Sequence, residues 1–327
     1  MPSDRAAGIT RVGVVDLGTN STRLLVAEVG DGAVQELERR LTITRLGEGV
    51  DARRLLLPTA VARVRNVLAE YRRAIESHGA ERTLTLATSA VRDAENGEAF
   101  LGEIEWSYGF ATRLLTGDEE ALLTFRGVAA GREVPLGTLV IDVGGGSTEL
   151  IVGGPDGVSF HESLDVGCVR LTERFLAGDP PSKEELESCR ASVRCLLGEL
   201  IPAGLGVRAA IGVAGTVTQL ATLDLGLDRE KPERVHGHRM RTEWLENELE
   251  QLGELTVAEI RALRGVHPDR APVLIAGTGV VVEVLRHFHL REVEVSERDI
   301  MHGGALAAAE LPAPDEDAAP PGAFTCC

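Results

Sequence analysis

A chain of 327 residues, 43% hydrophobic and 26% charged, has the length and composition of an ordinary globular protein of about two domains. Its 34 basic and 51 acidic residues leave a formal charge of −17, a surface that repels nucleic acid and anionic lipid, so neither is expected as a partner. No signal-peptide core and no run of 18 apolar residues is present, which points to a cytoplasmic protein without a membrane span.

In chain order, residues 12–29 (VGVVDLGTNSTRLLVAEV) read as an apolar strand, an Asp, a Gly-rich turn and a second apolar strand. A strand over 35–45, a helix over about 58–78 with Val61, Val64, Val67, Leu68 and Tyr71 on one face, and a strand over 83–87 follow. Residues 87–93 form a hydroxyl-rich loop that places Arg92 where loop meets helix N-terminus. Residues 113–131 (RLLTGDEEALLTFRGVAAG) read as strand then helix.

The opening hairpin then recurs. Residues 138–154 (TLVIDVGGGSTELIVGG) repeat it at an offset of 126 positions, which sets Asp16 on Asp142, Gly18 on Gly144, Ser21 on Ser147, Thr22 on Thr148 and Leu24 on Leu150. The turn residues of both copies suggest positions where a positive φ is wanted. Each copy is again followed by a strand, a helix and a strand: about 158–166, then 182–200 with Ser182 as cap, then 207–213. Two such halves imply an α/β fold packed across a cleft. The expected division is 9–127 for the first lobe, completed by a C-terminal helix at 299–310, 128–298 for the second, and a disordered tail at 311–327.

The turns carry the chemistry. Gly144, Gly145, Gly146, Ser147 and Thr148 offer successive backbone N–H groups and two hydroxyls, a nest for phosphate oxygens. The 18–21 turn can do the same less openly. Either turn alone reads equally as an ordinary hairpin; two in register favour phosphate binding. Asp16, Asp142 and Glu149 beside them would repel an anion unless a hard cation intervened, so the composition implies a Mg²⁺–phosphate site, with turn capping as the alternative role for the two Asp. Thr116 and Glu119 make a capping box that occupies Glu119 and leaves Glu120 to act as a general base or as a plain helix charge. Arg92 is suited to gripping phosphate or to pairing with Asp93 or Glu95. Gly turns at 212–216 and 277–279 line a site or permit close packing.

Other residues exclude rival chemistries. Only Lys183 and Lys231 are lysines, so no Walker-type loop is present. Cys168, Cys189, Cys195, Cys326 and Cys327 have neither zinc nor disulfide spacing and read as buried or inert thiols, and the last two do not form a prenylation signal. His236 and His238 read as loop surface.

Taken together and in order, VVDLGTNSTRLLV, TSAVRDAEN, LLTGDEEA, LVIDVGGGSTELIV, DVGCVRLTERF, GVAGTVTQLA and VSERDIMHGGA resemble the exopolyphosphatase/guanosine pentaphosphate phosphohydrolase family from about Val12 to Leu306. The resemblance implies a duplicated actin-like, ribonuclease-H-like fold with the active site in the interlobe cleft. It implies Glu120 as catalytic base, Asp142 and Glu149 as metal ligands, 144–148 as the phosphate loop, and Asp16, Asn20, Ser21 and Arg92 on the substrate side, acting with Mg²⁺ on the terminal phosphate of polyphosphate or of guanosine pentaphosphate. A homodimer is a family-level expectation. The chain stops near residue 310 without the helical domains of long members, so short polyphosphate or a nucleotide is as plausible a substrate as a long polymer. An actin-fold ATPase or kinase and a non-catalytic phosphate sensor are the competing classes.

Overall fold

The computed structural model describes residues 9–312. Its first strand, β1 (Thr10–Leu17), is buried without interruption from Val12 onward. Such a run needs cover on both faces, which makes β1 a central strand. It turns back into β2 (Ser21–Gly30) and then β3 (Ala33–Ile43), both antiparallel. β3 has no fully buried residue and carries its charges along the sheet edge, where they discourage further strand pairing. After α1 (Val50–Arg53) comes α2 (Pro58–Ser77), which opens on Pro58, where a missing amide costs nothing. Its face of Val64, Leu68, Tyr71 and Ile75 packs on Val15, Leu17, Leu24 and Val26 of the sheet. β4 (Arg82–Ala87) returns parallel to β1, and α3 (Ser89–Arg92), α4 (Gly97–Tyr108), β5 (Ala111–Leu114) and α5 (Gly117–Ala129) complete the pass, with β5 parallel to β4.

The second pass repeats the first. β6 (Thr138–Val143), β7 (Thr148–Gly154) and β8 (Gly157–Leu164) form an antiparallel meander, with β6 and β7 wholly buried. α6 (Cys168–Phe175) and α7 (Lys183–Leu200) follow, the latter started by a capping box between Ser182 and Glu185. β9 (Ala209–Val213) runs parallel to β6. Then come α8 (Ala214–Asp224), α9 (Pro232–Val235), β10 (Arg239–Arg241), α10 (Thr242–Gly253), α11 (Val257–Ala262), α12 (Ala271–His287) and β11 (Glu292–Val295). β11 is parallel to β9, and β10 adds an antiparallel edge strand. α12 is buried at every position from Val280 to Leu285, including Glu283, whose carboxylate accepts from Arg190 and Arg194 at 2.7 and 3.1 Å.

α13 (Ile300–Glu310) closes the chain. The chain divides into two units, one up to Arg132 and again from Ile300, the other from Glu133 to Asp299. Within the first unit α13 lies against β1 and α5. A Cβ at Gly303 would sit 1.9 Å from the Leu123 carbonyl, and one at Gly304 would sit 2.9 Å from Val14 and Leu86, so only glycine permits this approach.

The sheet orders are β3-β2-β1-β4-β5 and β10-β11-β9-β6-β7-β8. Apart from the added β10, both read 3-2-1-4-5 with three antiparallel strands followed by parallel ones, the ribonuclease-H-like topology. Its duplication is the actin-like fold. Among the described residues no helix is long and apolar enough to cross a membrane. The tail beyond Pro312, with Cys326 and Cys327, lies outside the described residues.

Candidate active site

The two hairpin turns close identically. Gly18 N–H donates to the Ser21 carbonyl at 3.0 Å, and Gly144 N–H to the Ser147 carbonyl at 3.0 Å. A Cβ on Gly18 would stand 3.0 Å from Ser21 O, and one on Gly144 would stand 3.1 Å from Ser147 O. The sequence suggested a positive φ in these turns. Among the described residues, no glycine with positive φ falls in either. Close approach of the closing carbonyl requires glycine there, not a left-handed backbone.

In the second unit the loop is held from behind by the N-terminus of α6. Cys168 N–H donates to the Gly144 carbonyl at 2.9 Å, and the Val169 and Arg170 amides donate to the Gly145 carbonyl at 2.9 and 3.1 Å. Arg170 Nε donates to the Gly146 carbonyl at 2.7 Å. In a trans peptide the N–H points opposite to the C=O. Anchoring these three carbonyls therefore turns the amides of Gly145, Gly146 and Ser147 the other way, where among the described residues none donates to a protein group. Gly146 and Ser147 are buried. Buried amides left unbonded are rare, and these two, in a row with the part-exposed Gly145 amide, make a receptor for anionic oxygens. Gly167 makes the grip possible, because a Cβ there would lie 2.4 Å from Gly145 O. The first unit uses the same device more sparingly: Gly47 N–H donates to Thr19 O at 2.8 Å, and the Thr44 and Arg45 amides to Asn20 O at 3.1 and 2.9 Å. Ser21 opens β2 directly after that turn.

One expected phosphate donor is corrected. The Thr148 hydroxyl donates to the Val166 carbonyl at 2.5 Å in the interior, so it ties β7 to the start of α6 and has no proton left for an anion. Its counterpart in the first unit, Thr22, is engaged likewise with Thr44 at 2.9 Å.

The carboxylates also differ between copies. Asp16 pairs with Arg23 across β1 and β2, and Arg23 Nε donates to Asp16 Oδ2 at 2.8 Å. At the equivalent register Asp142 faces Glu149 across β6 and β7. The expectation of three like metal carboxylates is thus modified: Asp16 has a built-in cation, while Asp142 and Glu149 are two negative charges, 6% and 1% exposed, directly opposite one another. Two carboxylates placed at one cross-strand register can be bridged by a divalent cation. Among the described residues no group of three or more His, Cys, Asp or Glu forms a metal centre. Two carboxylates with the remaining positions left to water and substrate oxygens are the donor set Mg²⁺ takes.

α5 starts on the expected capping box: Glu119 N–H donates to Thr116 Oγ1 at 3.2 Å, and Thr116 N–H to Glu119 Oε2 at 2.9 Å. That backbone amide, followed by Arg113, holds the Glu119 carboxyl below the usual carboxylate range. Glu120 is 8% exposed on the next position of the turn. Arg92 is not at a helix N-terminus as the sequence suggested; it ends the one-turn α3. The longer α4 starts only at Gly97, where a Cβ would be 2.0 Å from the Val91 carbonyl. From there Arg92 Nη1 donates to the Leu115 carbonyl at 2.7 Å and lies 3.5 Å from Glu120 Oε2. Pairing with Asp93 or Glu95 was the surface alternative; the chain instead directs Arg92 to α5.

Sequence reasoning missed Arg170 and Arg270. Arg270 packs its guanidinium over Gly215, where a Cβ would be 1.5 Å from Nη1. α8 begins there at Ala214, held at φ 66, a left-handed conformation that costs an alanine roughly 1–2 kcal/mol. It follows Val213, the parallel partner of Asp142. The GVAGT motif was the available signal for this turn; no local feature marked either arginine. The Cys168 and Cys189 thiols are buried and pushed up to about 11 by that burial, whereas Cys195 is exposed. His238 Nε2 pairs with Asp224 Oδ2 at 2.6 Å.

Two ribonuclease-H-like units, each opening on an acidic hairpin with a glycine turn, define a protein of the actin-like class. The sequence pattern of the Ppx/GppA phosphatase family matches residues 25–309. Exopolyphosphatase 2 of Mycobacterium tuberculosis is 39% identical over 319 residues, covering 92% of this chain and 99% of that protein. The crystal structure of an exopolyphosphatase-like protein superposes with a TM-score of 0.87 at 33% identity, covering 91% of this chain and 97% of its own. The Aquifex aeolicus member of the Ppx/GppA family superposes with a TM-score of 0.79 at 30% identity, over 93% of this chain and 98% of its own. The chain belongs to the Ppx/GppA phosphatase family.

Proposed function

We propose that this protein is an exopolyphosphatase that hydrolyses the terminal phosphoanhydride of inorganic polyphosphate. The observation that carries the reading is the outward-turned amide row of Gly145, Gly146 and Ser147, fixed by carbonyls gripped from behind. These amides bind the non-bridging oxygens of the terminal phosphate and stabilise the charge that builds there as the bond breaks. Glu120 orients a water and takes its proton as the water oxygen attacks phosphorus, and the bridging P–O bond breaks to release orthophosphate and a chain one unit shorter. Arg92 stands 3.5 Å from Glu120, helps to orient it and, with Asn20 and Ser21, faces the substrate. Asp142 and Glu149 hold Mg²⁺, which when bound supplies positive charge to the phosphate oxygens. Asp16 keeps Arg23 fixed beside the first turn.

The test is phosphate release by purified protein with Mg²⁺, using polyphosphates of defined length, guanosine pentaphosphate and ATP. Release from short polyphosphate, with no acceptor needed, is the expected outcome. Release from guanosine pentaphosphate alone would move the substrate assignment to the nucleotide, and release only in the presence of an acceptor alcohol would replace hydrolase by kinase.

A further inference from the structure

The phosphate loop owes its shape to α6, and the three grips are not alike. Two loop carbonyls, those of Gly144 and Gly145, are held by backbone amides of Cys168, Val169 and Arg170, which no side-chain change removes. The third, that of Gly146, is held by a side chain, Arg170 Nε at 2.7 Å. Arg170 is itself 8% exposed at the third position of α6, and Gly167 keeps the helix close enough to the loop for the contact. The peptide so held is the one whose N–H belongs to Ser147, the last and most deeply set of the three amides. Without that bond the 146–147 peptide has no donor from α6 to stop it from rotating, and a rotated peptide would present a carbonyl oxygen to an incoming anion.

We infer that Arg170 is a positioning residue: by bonding the Gly146 carbonyl it aims the Ser147 amide at the substrate's terminal phosphate. This rests on the phosphate-loop reading above. Arg170 Nε points to the carbonyl side of the loop, and the contribution proposed for it passes through the 146–147 peptide plane.

The side chain can be dissected at the atom concerned. Gln carries a donor nitrogen at the same number of bonds from the backbone as Arg Nε, without the charge, and Met carries a methyl there. We would titrate full-length ¹⁵N-labelled protein with orthophosphate in the presence of Mg²⁺ and follow backbone amides in the wild type, Arg170→Gln and Arg170→Met. The expected result is a phosphate-dependent shift of the Gly145, Gly146 and Ser147 amides in the wild type. Arg170→Gln should retain it with a Kd within about threefold. Arg170→Met should lose the Ser147 response and bind about tenfold more weakly, while amides away from the loop stay in place. A wild type whose loop amides do not respond sinks the phosphate-loop reading and this inference with it. A responsive wild type with an equally responsive Arg170→Met overturns the inference alone. So does a folded Arg170→Gln that loses the Ser147 response, which would assign the effect to charge. Should Arg170→Met not fold, Arg170→Gln decides the matter by the same criterion.

Discussion

Arg92 and Glu120 lie 3.5 Å apart, guanidinium to carboxylate, although 28 residues separate them, and Arg92 is also tied to the Leu115 carbonyl just past β5. A neighbouring guanidinium favours the ionised form of a carboxylate, the state a general base needs. Glu120→Gln should lower kcat by at least about 100-fold. Arg92→Ala should lower it too, and the double variant should be far less impaired than the product of the single effects, since both act through one group. Steady-state phosphate release on the three variants reads this directly; strictly multiplicative losses would separate the two residues.

Glu119, one position earlier, should behave in the opposite way. Its carboxylate caps α5 and bonds Arg113 at 2.7 Å, so Glu119→Ala should cost about 1 kcal/mol in urea unfolding and leave turnover within a few-fold. Its folded-state ionisation lies below that of the unfolded chain, so its stabilisation is present above about pH 4.3 and is lost as the pH falls through the lowered value. The gap between wild type and Glu119→Ala should therefore close in acid. A large loss of kcat without loss of stability would exchange the roles of the two glutamates.

Glu248 on α10 supplies a second pH effect of reversed sign. Burial, then the nearby Asp224, raises its carboxyl above the ordinary range. A raised folded-state value means stability fully present below the unfolded value and lost as the pH climbs through the folded one. Glu248→Gln should thus raise Tm at pH 7 and leave it unchanged near pH 4. A lower Tm at neutral pH would show that Glu248 is stabilising as an anion.

The fold was legible because its signals were local and repeated. Two apolar strands joined by a glycine turn appear twice at a fixed offset, and the helices between them carry a clear apolar face, as in α2. The capping box at Thr116 and the cap at Ser182 were readable from sequence and are present as hydrogen bonds, the latter as a full capping box with Glu185. Contacts set by tertiary packing were not readable. Nothing near Arg170 in sequence indicates that its Nε reaches a carbonyl 24 residues away, and nothing near Thr148 indicates that its hydroxyl is taken by Val166. The turn glycines were recognised for a different reason from the one the structure gives: they make room for a closing carbonyl rather than adopting a positive φ.

The cross-strand pair of Asp142 and Glu149 permits a test of the metal that does not depend on turnover. In the first copy the same register holds Asp16 with Arg23, a self-compensated pair; in the second it holds two carboxylates. Mg²⁺ held by these two carboxylates should stabilise the protein in proportion to its occupancy, by about 2.7 kcal/mol at a hundredfold excess over Kd. Glu149→Gln keeps an acceptor for Ser163 Oγ, now 2.9 Å from Glu149 Oε1, while removing one charge. Adding Mg²⁺ should raise the wild-type Tm by several degrees and the variant's far less, and the variant's phosphate release should recover only in part at high Mg²⁺. A wild-type Tm that ignores both chelator and Mg²⁺ would mean that the metal binds elsewhere.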